Sequence, residues 1–178
     1  MDRPRWLTPD QLEAWTRLVA VVELLPSVLD SQLQRDAGLT HFEYFTLAVL
    51  SESPGHTSRM TALASATNST LPRLSHVASR LEHRGFLQRT PCPTDRRATD
   101  AALTEAGWEK VVATAPGHVR TVQENVTDVL DDSDIADLRR VMSKLLGRLD
   151  PEERFGIQQR STADAESDRS ARVVPTAR

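Results

Sequence analysis

Between Arg59 and Asp100 the chain carries seven arginines, Arg59, Arg73, Arg80, Arg84, Arg89, Arg96 and Arg97, against three acids, Glu82, Asp95 and Asp100. A guanidinium stays charged and presents a planar fork of donors, chemistry for holding a phosphate or a guanine edge rather than for moving protons. Arg73, His76, Arg80 and Arg84 recur at three- and four-residue spacing, which places them close together on one helix face. Ser69, Thr70, Ser75 and Ser79 add short donors near the start of that helix, where free backbone amides also attract anions. Asp95-Arg96-Arg97 follows in a proline-bounded loop. An arginine there could enter a narrow groove and sense its potential, whereas Asp95 repels phosphate and is expected to orient an arginine. Taken alone, the Arg73/His76/Arg80 cluster would read as a solvated helix face. The arginine-tipped loop beside it favours contact with duplex DNA instead.

Other reactive residues carry less. His41-x-Glu43 with Pro91-Cys92 superficially follows the H-x-E…P-C-x-x-C pattern of zinc deaminases, but position 95 is Asp95 instead of the second cysteine. One histidine and one cysteine leave zinc short of its usual three protein ligands. No catalytic residue, metal site or cofactor is therefore expected, and the protein reads as a non-enzyme. His83 and His118 have no ligand-type neighbours in sequence and read as surface or packing residues. Cys92, the single cysteine, rules out an internal disulfide and agrees with a reducing cytoplasm. Arg89, Arg96 and Arg97 stand near enough in sequence to lower its pKa, yet the plainer reading is an incidental exposed thiol.

The elements that must position these groups are mostly helical. Thr8-Pro9 opens a helix whose Leu12, Trp15, Leu18, Val19, Val22 and Leu25 form an apolar stripe, with a bend expected at Pro26 and an end at Gly38. So long a stripe cannot be hidden by a small domain alone, so a partner helix is implied. Thr40-His41-Phe42-Glu43 is a capping box for a helix with Phe42, Phe45, Val49 and Leu50 on its inner face. Ser58 is expected to cap a short helix over 59–66, and Thr67-Asn68-Ser69 to turn into one capped by Thr70 and ended by Gly85. In that helix Leu74, Val77, Ala78 and Leu81 face inward. A short helix, a tight turn and a longer helix with a polar outer face have helix-turn-helix spacing. Strands at 86–90 and 98–103 enclose the loop, and Thr104 caps a helix with a kink or break expected near Pro116. Asp131 and Asp134 start a last helix with a wide apolar stripe from Ile135 to Leu149.

Composition fits this plan. Aromatics make up only 4% of the chain, so Leu, Val and Ala must fill the core. No run reaches the ~18 apolar residues of a membrane helix, and Asp2-Arg3-Pro4-Arg5 is followed by no apolar signal segment. No membrane association is expected, and a cytoplasmic location is. The net charge of −3 conceals an asymmetry, because Thr121–Asp150 holds seven acids against four bases. A basic middle with acidic flanks aims one surface at an anionic partner. From Pro151 the composition turns polar and aperiodic, and 151–178 reads as a disordered tail.

Arg80-Leu81-Glu82-x-Arg84-Gly85, then Asp95-x-Arg97 and Leu103-Thr104-x-x-Gly107, in this order and spacing, resemble the MarR family of winged-helix transcription regulators. The resemblance extends over roughly Thr8 to Asp150. It implies a mainly α fold: a winged helix-turn-helix with a small β-hairpin wing and a helical dimerisation region. Residues 1–36 and 105–150 would form the dimerisation region and residues 37–104 the DNA-binding domain. It also implies a homodimer on a pseudo-palindromic operator, most often a repressor, with the helix from Thr70 in the major groove and the Asp95–Arg97 tip in the minor groove. Pro72 and His76 depart from the residues many relatives carry there, so no base preference follows. Family members commonly bind aromatic acids, which makes Trp15, Phe45, Trp108 and Pro116 candidates for the pocket of a small aromatic or acidic effector. The periodicity of Trp15 and Phe45 also suits plain core. A winged helix that docks protein and a non-specific DNA-organising protein remain the alternatives.

Overall fold

The computed structural model describes residues 5–155; 156–178, most of the segment expected to be a tail, lie outside the described residues. Helix α1 spans Pro9–Ala37, α2 His41–Glu52, α3 Met60–Ala66, α4 Leu71–His83, α5 Glu105–Val122 and α6 Asp132–Leu149. Three strands, β1 (Thr57–Arg59), β2 (Leu87–Cys92) and β3 (Asp95–Leu103), form an antiparallel sheet in the order β1-β3-β2. The expected mainly helical winged helix is the observed class.

Local chemistry sets most of the boundaries. Thr8, Thr40 and Asp131 each close a capping box with the residue three positions on, satisfying amides that a helix start leaves without partners. Gly38 ends α1 at φ 62°, a left-handed conformation that glycine adopts without a Cβ clash. Fully buried Leu33, Leu47, Leu50, Leu63, Leu74 and Leu81 join α1 through α4 in one core, and Leu87 and Ala101 seat the sheet on it.

Several expectations change. Ser58 does not cap α3; it lies in β1, whose Thr57, Ser58 and Arg59 pair with Ala102, Ala101 and Asp100 of β3. Arg59 takes the N-cap position without a side-chain hydrogen bond. The wing strands run further than 86–90 and 98–103, meeting at Cys92 and Asp95, and leave only Pro93-Thr94 as the turn. Pro91 is accommodated because β2 is an edge strand, where a missing N–H removes no ladder bond on the outer side. On α2 the buried residues are Glu43, Tyr44, Thr46, Leu47, Leu50 and Ser51, with Phe42, Phe45 and Val49 only half-buried. This helix packs against α1, α3, α5 and β3, so most of its circumference is covered. Both α1 and α5 continue through their prolines, Pro26 and Pro116. Both prolines are exposed, so water can serve the carbonyl that loses its intrahelical donor. A π-helical turn over Gln123–Thr127 follows α5. At the far end Asp150 accepts from Arg154 Nε (2.7 Å) and the Phe155 amide (3.2 Å), folding 151–155 into a turn.

The apolar stripes stay uncovered within the chain. Trp15 is 55% exposed and Val22 58% on α1, and Leu149 is 71% exposed on α6. None of α6 except half-covered Ile135, Met142 and Leu146 is shielded. Among the described residues no helix is long and apolar enough to cross a membrane.

Candidate nucleic-acid interface

Helix α4 is anchored by Leu74, Val77, Ala78 and Leu81, as its spacing predicts. The Thr67-Asn68-Ser69 turn leads into it, with Asn68 at φ 47° and the Thr67 hydroxyl donating to the Leu63 carbonyl (2.8 Å). Thr70 caps the helix by accepting from the Arg73 amide (3.4 Å), and half-buried Ser69 donates to the Thr70 carbonyl (3.2 Å). With four residues turned into the core, Pro72, His76, Ser79 and His83 occupy the outer side. His76, Ser79, Arg80, His83 and Arg84 line an open hollow of about 420 Å³ there.

Both flanks of α4 are fastened. Toward α2, the Arg73 guanidinium lies 4.7 Å from the Phe42 ring centre, a cation–π contact. Arg80 Nε is 3.2 Å from Glu43 Oε1, and Arg84 Nη1 is 3.8 Å from Glu43 Oε2. Glu43, only 5% exposed, also accepts from the Thr40 amide (2.9 Å), so one carboxylate caps α2 and holds two arginines of α4. The expected capping role of Glu43 is thus joined by a second one. Toward the wing, Arg89 of β2 bonds Glu82, Ser79 and Ser75. Its side chain, helped by its backbone amide, holds the Glu82 carboxyl below the usual range. Arg89 and Glu43 lacked a sequence signal for these roles, because each partner is supplied by a different element.

At the wing tip Asp95 Oδ1 accepts from the Arg97 amide (3.1 Å), so Asp95 shapes the backbone that presents Arg97. The Arg97 side chain is exposed; that of Arg96 lies outside the described residues, although its backbone is in β3. Arg59, Ser75, Arg89 and Arg97 share a cleft of about 210 Å³ between α3, α4 and the wing. The structure therefore places Ser69, Thr70, Arg73, Ser75, His76, Ser79 and Arg80 on one helix or its entry turn, with Asp95 and Arg97 on the adjoining hairpin.

Cys92 is a correction. The residue is 6% exposed rather than open to solvent, and its sulfur contacts Thr94 Oγ1 (3.3 Å) and Arg59 Nη2 (3.5 Å), the latter 33 positions away in sequence. Hydrogen bonding by Thr94, with a smaller contribution from Arg59, brings the thiol below its ordinary value against the opposing effects of burial and Asp100. The β3 pairing that carries Cys92 under Arg59 is not local in sequence, which is why proximity along the chain misled.

The four pocket candidates have separate surroundings. Trp15 is largely exposed, Phe45 stacks on His41 with ring centres 6.4 Å apart, Trp108 packs on His56 at 4.8 Å, and Pro116 faces out. His118 packs against Tyr44 at 4.8 Å while its Nδ1 is buried without a partner, and burial lowers its pKa. Among the described residues no three metal-ligating side chains cluster.

Comparison with known proteins agrees with this architecture. Residues 39–99 match the MarR family. The chain is 42% identical to Sco3205 of Streptomyces coelicolor, a MarR family transcriptional regulator whose crystal structure is in complex with DNA; the match covers 86% of this chain and 96% of that one at a TM-score of 0.80. AbsC, a MarR family regulator from the same organism, is 38% identical with 82% and 98% covered and a TM-score of 0.77. The transcriptional repressor MprA of Escherichia coli is 25% identical over 127 residues, 71% of this chain and 72% of its own length. With the fastened α4, the arginine-tipped wing and these near-full-length relatives, the chain belongs to the MarR family of transcriptional regulators.

Proposed function

We propose that the protein is a sequence-specific DNA-binding repressor that acts as a homodimer on a pseudo-palindromic operator, with no catalytic role. The observation that carries this is the geometry of α4. It is braced on both flanks by arginine contacts, presents Pro72, His76, Ser79 and His83 outward, and stands beside a hairpin that exposes Arg97. Such a braced helix suits the major groove, and an arginine at a wing tip suits the negative potential of the minor groove.

Homodimerisation is supported by the bare stripes of α1 and α6. Leu12, Trp15, Val19 and Val22 on α1 and Leu138, Val141, Leu145 and Leu149 on α6 are all more than a third exposed, and large exposed apolar faces of this kind mark interaction sites. Residues 1–36 and 105–150 then form the dimer frame and 37–104 the reading head. Two-fold symmetry sets the paired α4 helices about one DNA turn, ~34 Å, apart. A small aromatic or acidic effector would release DNA by preferring a dimer with different spacing, since equal affinity for both states shifts nothing. The cytoplasm is the compartment this role requires.

Gel shifts across a salt series, using the gene's own upstream region against unrelated duplex, test the reading. Specific binding that weakens steeply with salt supports it. Equal affinity for every duplex points to a DNA-organising protein, and no shift at low salt points to protein docking.

A further inference from the structure

Arg89 makes a set of bonds that mere bracing does not require. Nε and Nη2 lie 3.0 and 2.7 Å from Glu82 Oε2, Nη2 also reaches Ser79 Oγ at 2.8 Å, and Nη1 is 3.4 Å from Ser75 Oγ. The Arg89 amide donates to Glu82 Oε1 as well, at 2.8 Å. A guanidinium has donors and no acceptor, so each serine oxygen must accept from it. That fixes the direction of the remaining chemistry. In Thr16, Thr46, Thr114, Thr121 and Ser143 the helical hydroxyl donates to the carbonyl four residues back. Among the described residues, Ser75 and Ser79 make no such bond: each accepts from Arg89, and its own hydrogen has no protein acceptor. Ser79 lines both the outer hollow with His76, Arg80 and His83 and the neighbouring one with Glu82 and Arg89.

We propose that Arg89 is a positioning residue for sequence reading: by holding the Ser79 oxygen as an acceptor it turns the Ser79 hydroxyl hydrogen outward, so that α4 demands a hydrogen-bond acceptor on a base edge at that contact. This rests on α4 being the DNA-reading helix. In the major groove guanine O6 and N7, adenine N7 and thymine O4 meet the demand, whereas the cytosine amino group is itself a donor and does not. The shorter Ser79 contact carries the effect; Ser75, at 3.4 Å, is the weaker member of the pair.

The test begins with an unbiased selection of duplexes bound by the wild-type protein. Affinities of wild type, Ser79→Ala, Arg89→Met, Arg89→Lys and the Ser79→Ala/Arg89→Met double variant are then measured on the selected duplex. The same is done on a panel in which each base pair of a half-site is changed in turn, across a salt series. Ser79→Ala is expected to lose roughly five- to tenfold discrimination at one base pair, the size of one hydrogen bond, and to match wild type elsewhere. Arg89→Met loses discrimination at that same pair, and the double variant loses no more than either single one. Arg89→Lys behaves like Arg89→Met there, because a single ammonium cannot span Glu82 and Ser79 as the fork does. The salt slope stays unchanged in all of them.

Uniform weakening on every duplex with a shallower salt slope makes Ser79 or Arg89 a phosphate contact and overturns the inference. Wild-type discrimination in Ser79→Ala overturns it too, and this variant keeps the Arg89–Glu82 pair, so it decides even where Arg89→Met fails to fold. A wild-type protein with no duplex preference overturns the DNA-reading assignment and the inference together. A preference that survives both changes overturns the inference alone.

Discussion

Replacing Gly107 by alanine should damage the junction between α5 and the turn that follows α4. A Cβ added there would stand 1.9 Å from the Phe86 carbonyl oxygen, 2.9 Å from its carbon and 2.8 Å from Leu103 Cδ1. The leucine end can swing aside, but the carbonyl is backbone and is already fixed by the Thr104 amide (3.2 Å). The Thr104 hydroxyl adds a 2.6 Å bond to the Gly85 carbonyl while accepting from the Gly107 amide at 3.0 Å. Helix propensity alone favours alanine at position 107 by about 1 kcal/mol. Relief of the overlap needs a backbone shift of more than an ångström, on the order of 3 kcal/mol or more as strained overpacking. The net expectation is a loss of roughly 2 kcal/mol or more, a fall in Tm of about 4–8 °C for a chain of this size at fixed protein concentration. Calorimetry or urea unfolding reads it directly. Ala106→Gly, one position earlier and exposed, serves as the comparison and should lose only about 1 kcal/mol. A Gly107→Ala protein as stable as wild type, or more so, would refute the close approach of α5 to the turn after α4.

Four further outcomes follow from the same geometry. Glu43→Ala should lower stability by about 2 kcal/mol or more in urea unfolding, from the lost cap and the charge-assisted bonds to Arg80 and Arg84; a loss under 0.5 kcal/mol would contradict that role. Arg97→Ala should weaken all duplexes and reduce the salt slope by about one, with dimerisation unchanged by sedimentation; a monomeric variant would place Arg97 in the wrong region. Leu145→Glu, in the uncovered stripe of α6, should raise the dimer dissociation constant by at least tenfold, since a buried unpaired carboxylate is costly; unchanged sedimentation would move the dimer contact off α6. His41 and His118 are both held below 6.5 by burial, with Asp30 opposing this at His41 and His41 adding to it at His118. For a base whose folded pKa lies below its unfolded one, the unfolded chain binds more protons. The stability is then complete above about pH 6.5 and falls as pH drops through that value toward the folded pKa. Tm should therefore decline on going from pH 7.5 to 5.5, and less steeply in His118→Phe; an identical slope would remove His118 from that dependence.

Most helix starts were legible because each is local: Thr8-x-x-Gln11, Thr40-x-x-Glu43 and Asp131-x-x-Asp134 all close as their spacing requires, whereas the Ser58 cap expected for α3 fails because Ser58 pairs in β1. The same holds for the inner face of α4 and for the short-range bond of Asp95 to the Arg97 amide, although both residues lie in β3 rather than in the loop. What escaped depends on distant pairing. Strand β1 has only three residues, too few to show alternation, and exists because Thr57 meets Ala102. The burial of Cys92 comes from the same sheet, which brings Arg59 across to its sulfur. Pro116 signalled a break that its outward position makes unnecessary. The arginines were correctly gathered on α4, but their partners were invisible in sequence. Arg73 and Arg80 lean on Phe42 and Glu43, and Arg89 organises two of the serines.

Hydroxyl-radical footprinting of the protein on its own upstream region, with the stoichiometry of the complex measured in the same buffer, tests most directly whether two copies read DNA through α4 and the wing. Two chains per duplex, with two protected half-sites centred about one helical turn apart and a protected minor groove flanking each, is the expected result. One chain per duplex, or protection without a two-fold pattern, would contradict it.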